Sequence, residues 1–88
     1  MVERGKWTEI PAWLKNVEIE GFFDCSFNKL TSLKNCPRNI EGYFTCSDNE
    51  LTSLEGCPEN IRTKFICFNN KVKLKLPGYA KLVGDFLN

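Results

Sequence analysis

The chain has 88 residues, with 12 Lys and Arg against 11 Asp and Glu, no histidine and a formal net charge of +1. That length allows one small domain, which has little interior for its surface unless its apolar side chains are shared economically. The near-neutral balance gives no global case for a nucleic acid or an acidic substrate. No stretch approaches the roughly 20 apolar residues of a membrane span.

The N-terminus, Met1 to Trp7, carries charges with no apolar segment behind them, so no secretory leader is expected and the cytoplasm is the expected compartment. Trp7, Ile10, Trp13 and Val17 follow at offsets of 3, 3 and 4. Residues 1–20 are therefore expected to be a degenerate first coil of a repeat array, whose indoles cap the core because terminal units are atypical. Paired tryptophans stacking on a ligand are the functional alternative.

From Gly21 the chain repeats itself. Residues 21–41 and 42–62 agree at 13 of 21 positions without a gap, and a decaying third copy begins at Thr63 with Phe65, Cys67, Asn70 and Val72 in register. A period near 20 residues is too short to close its own core, so each unit must bury its apolar side against the next, as in a solenoid. Within a copy, Phe44 and Cys46 alternate with Tyr43, Thr45 and Ser47, which predicts a short strand. Equivalent strands running in one direction must pair in parallel, placing Phe23, Phe44 and Phe65 in one inward column and Cys25, Cys46 and Cys67 in another.

Asn28, Asn49 and Asn70 stand just after each strand. An asparagine side chain donates and accepts at once, so a stack of them is expected to satisfy backbone groups of its own and neighbouring units. The second half of each copy spaces its apolar residues at offsets of 3, 3 and 4, as Leu30, Leu33, Cys36, Ile40 and as Leu51, Leu54, Cys57, Ile61. Pro37, Gly56 and Pro58 interrupt these segments, so extended or tightly turned backbone is expected there rather than full helices.

The five cysteines, at 25, 36, 46, 57 and 67, are odd in number and follow the repeat. With no CxxC pair and no histidine, structural thiols are expected rather than disulfides or a metal site.

After Asn70, Val72, Leu74 and Leu76 alternate with Lys71, Lys73 and Lys75, which reads as an amphipathic strand ended by Pro77-Gly78. Tyr79, Leu82, Val83, Phe86 and Leu87 then carry the spacing of one helical stripe. Gly84 weakens that helix by about 1 kcal/mol relative to alanine. A short C-terminal helical cap is expected, with docking of a detachable helix into a partner as the alternative. The expected organisation is thus a single domain of residues 1–88: a cap coil at 1–20, full repeats at 21–41 and 42–62, a partial repeat at 63–72 and a cap at 73–88.

LxxLxxCPxxI joined to xxFxCSxNxL resembles a leucine-rich repeat, with Phe and Cys where leucine is more usual. The short proline-containing unit is similar to the bacterial effector type, and Phe-x-Cys-Ser-x-Asn-x-Leu-Thr-Ser-Leu resembles the small leucine-rich repeat proteins common in bacteriophage genomes. The resemblance covers residues 19–72. It implies a parallel-sheet solenoid with a concave strand face and an irregular convex side, but no single activity. Effector relatives with ubiquitin-ligase activity carry it in a further catalytic domain, for which this chain has no room.

No GxGxxG, GxxxxGK[ST] or HExxH motif is present, and the missing histidine removes His-assisted nucleophiles, so neither an enzyme nor a bound cofactor is expected. The outward strand positions are more informative: Phe22, Asp24, Ser26 and Phe27; Tyr43, Thr45, Ser47 and Asp48; Lys64, Ile66, Phe68 and Asn69. Phe22 beside Tyr43, and Ile66 near Phe68, form a candidate apolar patch. Phe22, Asp24, Tyr43, Thr45, Lys64, Ile66 and Phe68 are the candidate partner-binding residues. Coverage of the patch by the C-terminal segment, or self-association into a homo-oligomer, would leave it without an outside partner.

The expected function is non-catalytic protein binding through that face. The bacteriophage resemblance implies inhibition of a host enzyme or defence protein in the host cytoplasm. The alternative is a nucleic-acid or nucleic-acid-enzyme binder, because residues 62–88 hold six cations against Asp85, a local +5 that leaves −4 for residues 1–61. Lys71, Lys73 and Lys75 would then contact phosphates, although lysines on an edge strand also serve simply to discourage aggregation.

Overall fold

The two-residue alternation does become strands, and their partners lie 21 residues away. In a computed structural model, which describes Gly5 and residues 7–88, the chain forms two parallel sheets and almost no helix. The first sheet joins β1 (Phe23–Asp24), β3 (Phe44–Thr45), β5 (Lys64–Ile66) and β7 (Asp85–Leu87) in that order; the second joins β2 (Asn39–Ile40), β4 (Asn60–Ile61) and β6 (Lys81–Leu82). Phe23 pairs with Phe44, Phe44 with Phe65 and Phe65 with Phe86, while Ile40 pairs with Ile61 and Ile61 with Leu82. Of the expected N-terminal cap, residues 1–4 and 6 lie outside the described residues.

Between the sheets lies the core. Phe23, Phe44 and Phe65 are buried beside Cys25, Cys46 and Cys67, and they meet Leu30, Leu33, Leu51, Leu54 and the isoleucines of the second sheet. The rings are packed against one another, Phe23 on Phe44 with centroids 6.1 Å apart and Phe44 edge-on to Phe65 at 5.0 Å. Each buried Phe, Leu or Ile contributes about 1.5–3 kcal/mol by leaving water. Pro37 and Pro58 are fully buried as well; the proline that forbids a helix in this half of each copy also supplies apolar volume.

The asparagines bind the copies to one another. Asn49 donates from Nδ2 to the carbonyls of Cys46 and Ser47 in its own copy and to that of Cys25 in the preceding one. Its Oδ1 accepts the Leu30 N–H at 3.0 Å. Asn70 does the same with Cys46, Cys67, Phe68 and Leu51, and Asn28 with Cys25, Ser26 and Trp7. The residue before each asparagine, Phe27, Asp48 or Asn69, has φ of 59°, 57° or 53°. That left-handed turn aims the amide back across the strand ends, and its cost to a non-glycine residue is offset by the bonds it permits. Among the described residues, no buried side-chain nitrogen or oxygen lacks a partner.

Three expectations are corrected. The first concerns the N-terminal cap: Trp13 is 71% exposed, and Leu14 is buried in its stead. A 3-10 helix at Ala12–Asn16 sets Leu14 N–H on the Pro11 carbonyl, as Cys36 N–H sits on Leu33. Trp13 therefore matches the outward turn residue Asn35, one place earlier than the 3, 3, 4 spacing implied. Likewise Ile19, not Val17, bridges to Ile40.

The second concerns the lysine-rich segment. Val72 is exposed, Leu74 is buried and residues 71–80 form no strand. Pro77 lies 21 residues beyond Gly56, which with Asn35 takes positive φ; a pyrrolidine ring fixes φ near about −65° and forbids that turn. The chain takes another path, and the Tyr79 hydroxyl comes back to accept the Gly56 N–H and donate to the Cys57 carbonyl.

The third is the C-terminal helix, which is absent. Residues 79–87 form β6 and β7, with Lys81 and Val83 N–H groups on the Glu59 and Ile61 carbonyls, and the Cys67 N–H on Leu87. A helix would leave these edge groups of β4 and β5 unpaired. The stripe at Tyr79, Leu82, Val83, Phe86 and Leu87 is two strands read as one helix, and Val83 faces solvent.

Gly84 distinguishes the two arrangements. A Cβ there would lie 1.6 Å from the Thr63 carbonyl oxygen, so Gly84→Ala is expected to destabilise the protein by about 1–3 kcal/mol in denaturant melts. In a helix the same change would stabilise by about 1 kcal/mol. Asn49→Leu leaves the Leu30 N–H without its partner and removes one bond each from the Cys25, Cys46 and Ser47 carbonyls, which keep Asn28, Asn70 and the Phe27 N–H; a loss of about 1–3 kcal/mol is expected, and an unchanged denaturation midpoint would contradict the role given to the ladder.

Candidate functional site

On the outward side of the four-stranded sheet, period two places the candidate residues in rows that run across the strands. The first row is Phe22, Tyr43, Lys64 and Asp85; the second is Asp24, Thr45, Ile66 and Leu87; the third is Ser26, Ser47 and Phe68. Phe22 and Tyr43 stack face to face, their centroids 4.8 Å apart and their planes within 7°. Phe22 remains 45% exposed, so this pair is not core packing. Lys64 and Phe68 are exposed, Asp24 and Ile66 half-buried.

Thr45 is placed differently from the expectation. It is only 9% exposed, and its hydroxyl lies 2.9 Å from that of Ser26. Asp24 is also engaged, since its Oδ1 accepts the Ser26 N–H at 2.9 Å. Ser47 Oγ accepts the Phe68 N–H at 2.9 Å, which fixes the backbone from which the Phe68 ring projects. The polar middle of the face is thus internally bonded, and its aromatic and aliphatic margins are the accessible part.

Leu87 and Asp85 join the face through β7 and were missed in the sequence because residues 79–87 fitted a helical stripe. The signal available was Gly84 and Phe86, which stand 42 residues beyond Gly42 and Phe44. The C-terminal segment does not fold over the patch; it extends it.

Part of the charge pattern is an alternation in sequence between paired copies. Lys29, Glu50 and Lys71 share one position, Lys34 and Glu55 another, and Arg38 and Glu59 a third, the last pair with N to O at 3.8 Å. The acidic middle copy therefore lies between basic neighbours. That exposed Arg38–Glu59 contact contributes little, about 0–1 kcal/mol. Lys73 Nζ donates to the Asn88 carbonyl at 3.3 Å.

An open groove of about 590 Å³ on the other flank is lined by Lys15, Arg38, Glu55, Glu59 and Tyr79 among others. Arg38 and Glu59 face each other there, and the Tyr79 hydroxyl is occupied by Gly56 and Cys57. Burial and the bond to Cys57 push the Tyr79 hydroxyl pKa up.

The five thiols are free and buried. Burial pushes the pKa of Cys25, Cys36 and Cys46 well up, and that of Cys57 and Cys67 from 9.0 to about 11. Such thiols are protonated at neutral pH and are poor nucleophiles and poor ligands. Among the described residues, no three Cys, Asp or Glu side chains converge as a metal-ligand set, and no helix is long and apolar enough to cross a membrane.

No known protein family, curated protein or solved structure matches the chain.

The thiols give a pH test. In the unfolded chain they ionise near 9.0, whereas burial in the folded protein holds Cys57 and Cys67 protonated to about 11 and raises Cys25, Cys36 and Cys46 well above 9.0. The folded state thus binds more protons above pH 9, and stability is expected to be level below that pH and to fall as pH rises toward 11. All five thiols should react with a disulfide reagent only after denaturation; a titre below five in freshly purified, denatured protein would contradict their assignment as free.

Proposed function

We propose that the chain is a non-catalytic protein-binding module: a leucine-rich repeat solenoid, acting in the cytoplasm, that engages a host protein through the outward face of its four-stranded sheet and inhibits it by occlusion, as the bacteriophage resemblance implies. The observation that carries this reading is the Phe22–Tyr43 stack. Two aromatic rings are held in parallel on the solvent side of the sheet, where they fill no core. Beyond them, Ile66 and Leu87 are register partners in the next row, and Phe68 is exposed in the row after it. Rigid aromatic anchors of this kind dominate protein interfaces because they bury large area at little cost in side-chain entropy.

The sequence supplies no residue set for chemistry, and the polar groups along the face and in the groove are largely bonded within the protein. Lys73 Nζ donates to the Asn88 carbonyl, which engages one of the three lysines on which the phosphate-binding alternative rests, and that alternative has no groups beside it that would read bases.

Tyr43→Ala and Phe68→Ala are expected to weaken partner binding by about 2 kcal/mol or more each while shifting the thermal midpoint little. Glu55→Ala on the opposite side is expected to change neither. The measurement is comparative capture of host-cytoplasm proteins by the wild type and these variants, with melting curves in parallel. A captured partner retained equally by Tyr43→Ala and Phe68→Ala, or one released steeply by salt alone, would overturn the reading.

A further inference from the structure

The two edges of the sheets are finished differently. At the N-terminal edge the protein uses its own chain: Gly5 N–H donates to the Phe27 carbonyl, Lys29 N–H to the Trp7 carbonyl, and Ile19 bridges to Ile40. The Ser26 N–H, which faces outward because Cys25 and Phe27 donate to β3, is taken by the Asp24 carboxylate. Such an edge resists further pairing.

At the C-terminal edge, β6 and β7 are the last strands of their sheets. Leu87 accepts from Cys67 and Val83 donates to Ile61, so by alternation the backbone N–H and C=O groups of Phe86 and Leu82 point away from the protein. Among the described residues no strand pairs with their far sides. Their side chains, with Leu76, rest half-buried against the core. The Phe86 ring sits edge-on to Phe65 at 5.3 Å, leaving the next place in the aromatic column vacant. Lys73, Lys75 and Lys81 are exposed, Lys81 within β6 and Lys73 with its Nζ on the Asn88 carbonyl just past β7, and Asp85 of β7 is exposed as well.

We propose that this edge takes up an acidic, extended segment of a partner protein as an added strand, with the segment's alternate apolar residues continuing the Phe86 and Leu82 columns and its acidic residues meeting the lysines. The open backbone groups supply the pairing, and the lysines select the occupant. A second copy would bring the same basic edge or the N-terminal edge that is already closed, whereas an acidic strand gains from each lysine it passes. The surface is separate from the Phe22–Tyr43 face.

The test uses the full chain and a fluorescent extended peptide of about ten residues in which Phe and Val alternate with Glu, beside the same peptide with Lys at each Glu. At low ionic strength the acidic peptide is expected to bind at least about ten-fold more tightly. Amide exchange followed by NMR is expected to show new protection at Leu82 and Phe86, and the Lys75→Glu, Lys81→Glu double variant to reverse the order of the two peptides. Phe22→Ala is expected to leave this binding unchanged. Equal affinity for the two peptides, no binding of either, or protection at residues away from β6 and β7 would overturn the proposal. So would a concentration-dependent rise in mass of the protein alone, which would assign the edge to a second copy, or displacement of the peptide by duplex DNA of equal charge. Amide protection in the unmodified protein decides the matter even if the double variant fails to fold.

Discussion

Every other feature of the fold depends on the amide of a single asparagine per copy. Asn49 collects three carbonyls and one N–H from two successive copies, at the place where the strand ends and the chain must turn across the core. Without it the buried Leu30 N–H would lose its partner, at a cost of about 1–3 kcal/mol, and the Cys25, Cys46 and Ser47 carbonyls would each lose one of two donors. The side chain must reach from a left-handed residue behind it, which is why Phe27, Asp48 and Asn69 all adopt positive φ. The asparagine therefore sets where the strand stops and how far the next copy sits. The strand pairing, the Phe and Cys columns and the distance between sheets follow from that spacing.

A second, smaller ladder runs along the other sheet, where Asn60 donates to Asn39 at 2.7 Å and Asn39 to Glu18 at 3.2 Å. Its next position is Lys81, in register with Asn60. The Cys column ends in a comparable way, since Asn88 follows Cys67 by 21 residues, lies 3.7 Å from its Sγ and donates to the Leu74 carbonyl. The Asn column thus ends on a charged lysine and the Cys column on a polar asparagine as the C-terminal edge is reached, while the Phe column stays apolar. That difference leaves Phe86 as the apolar feature of the last strand.

Much of this was legible because the repeat is strict where the physics is strict. Phe23, Phe44 and Phe65, the cysteines, and Asn28, Asn49 and Asn70 keep their identity, so parity and pairing could be read directly. The C-terminal strands were not legible. Their apolar residues satisfy helical and two-stranded spacing equally, and only the register of Gly84 and Phe86 with Gly42 and Phe44 argues for the strands. Trp13 was misplaced because a one-residue difference in the turn after Pro11 moves Leu14 inward and the indole out. The outward face was half legible: alternation found the Phe22–Tyr43 stack, but hydroxyl pairing between Thr45 and Ser26 is a side-chain matter that alternation does not encode.

The account rests on the asparagine amides being true interior partners of the backbone rather than turn groups facing water. Amide hydrogen exchange at Leu30 and Leu51, whose N–H groups are bonded only to Asn49 and Asn70 side chains, measures this most directly. Protection matching that of Cys46 and Cys67, whose N–H groups bond to Ile66 and Leu87 across the sheet, and lost only on global unfolding, is the predicted result. Exchange of Leu30 and Leu51 as fast as that of the neighbouring exposed Thr31 and Thr52 would contradict it.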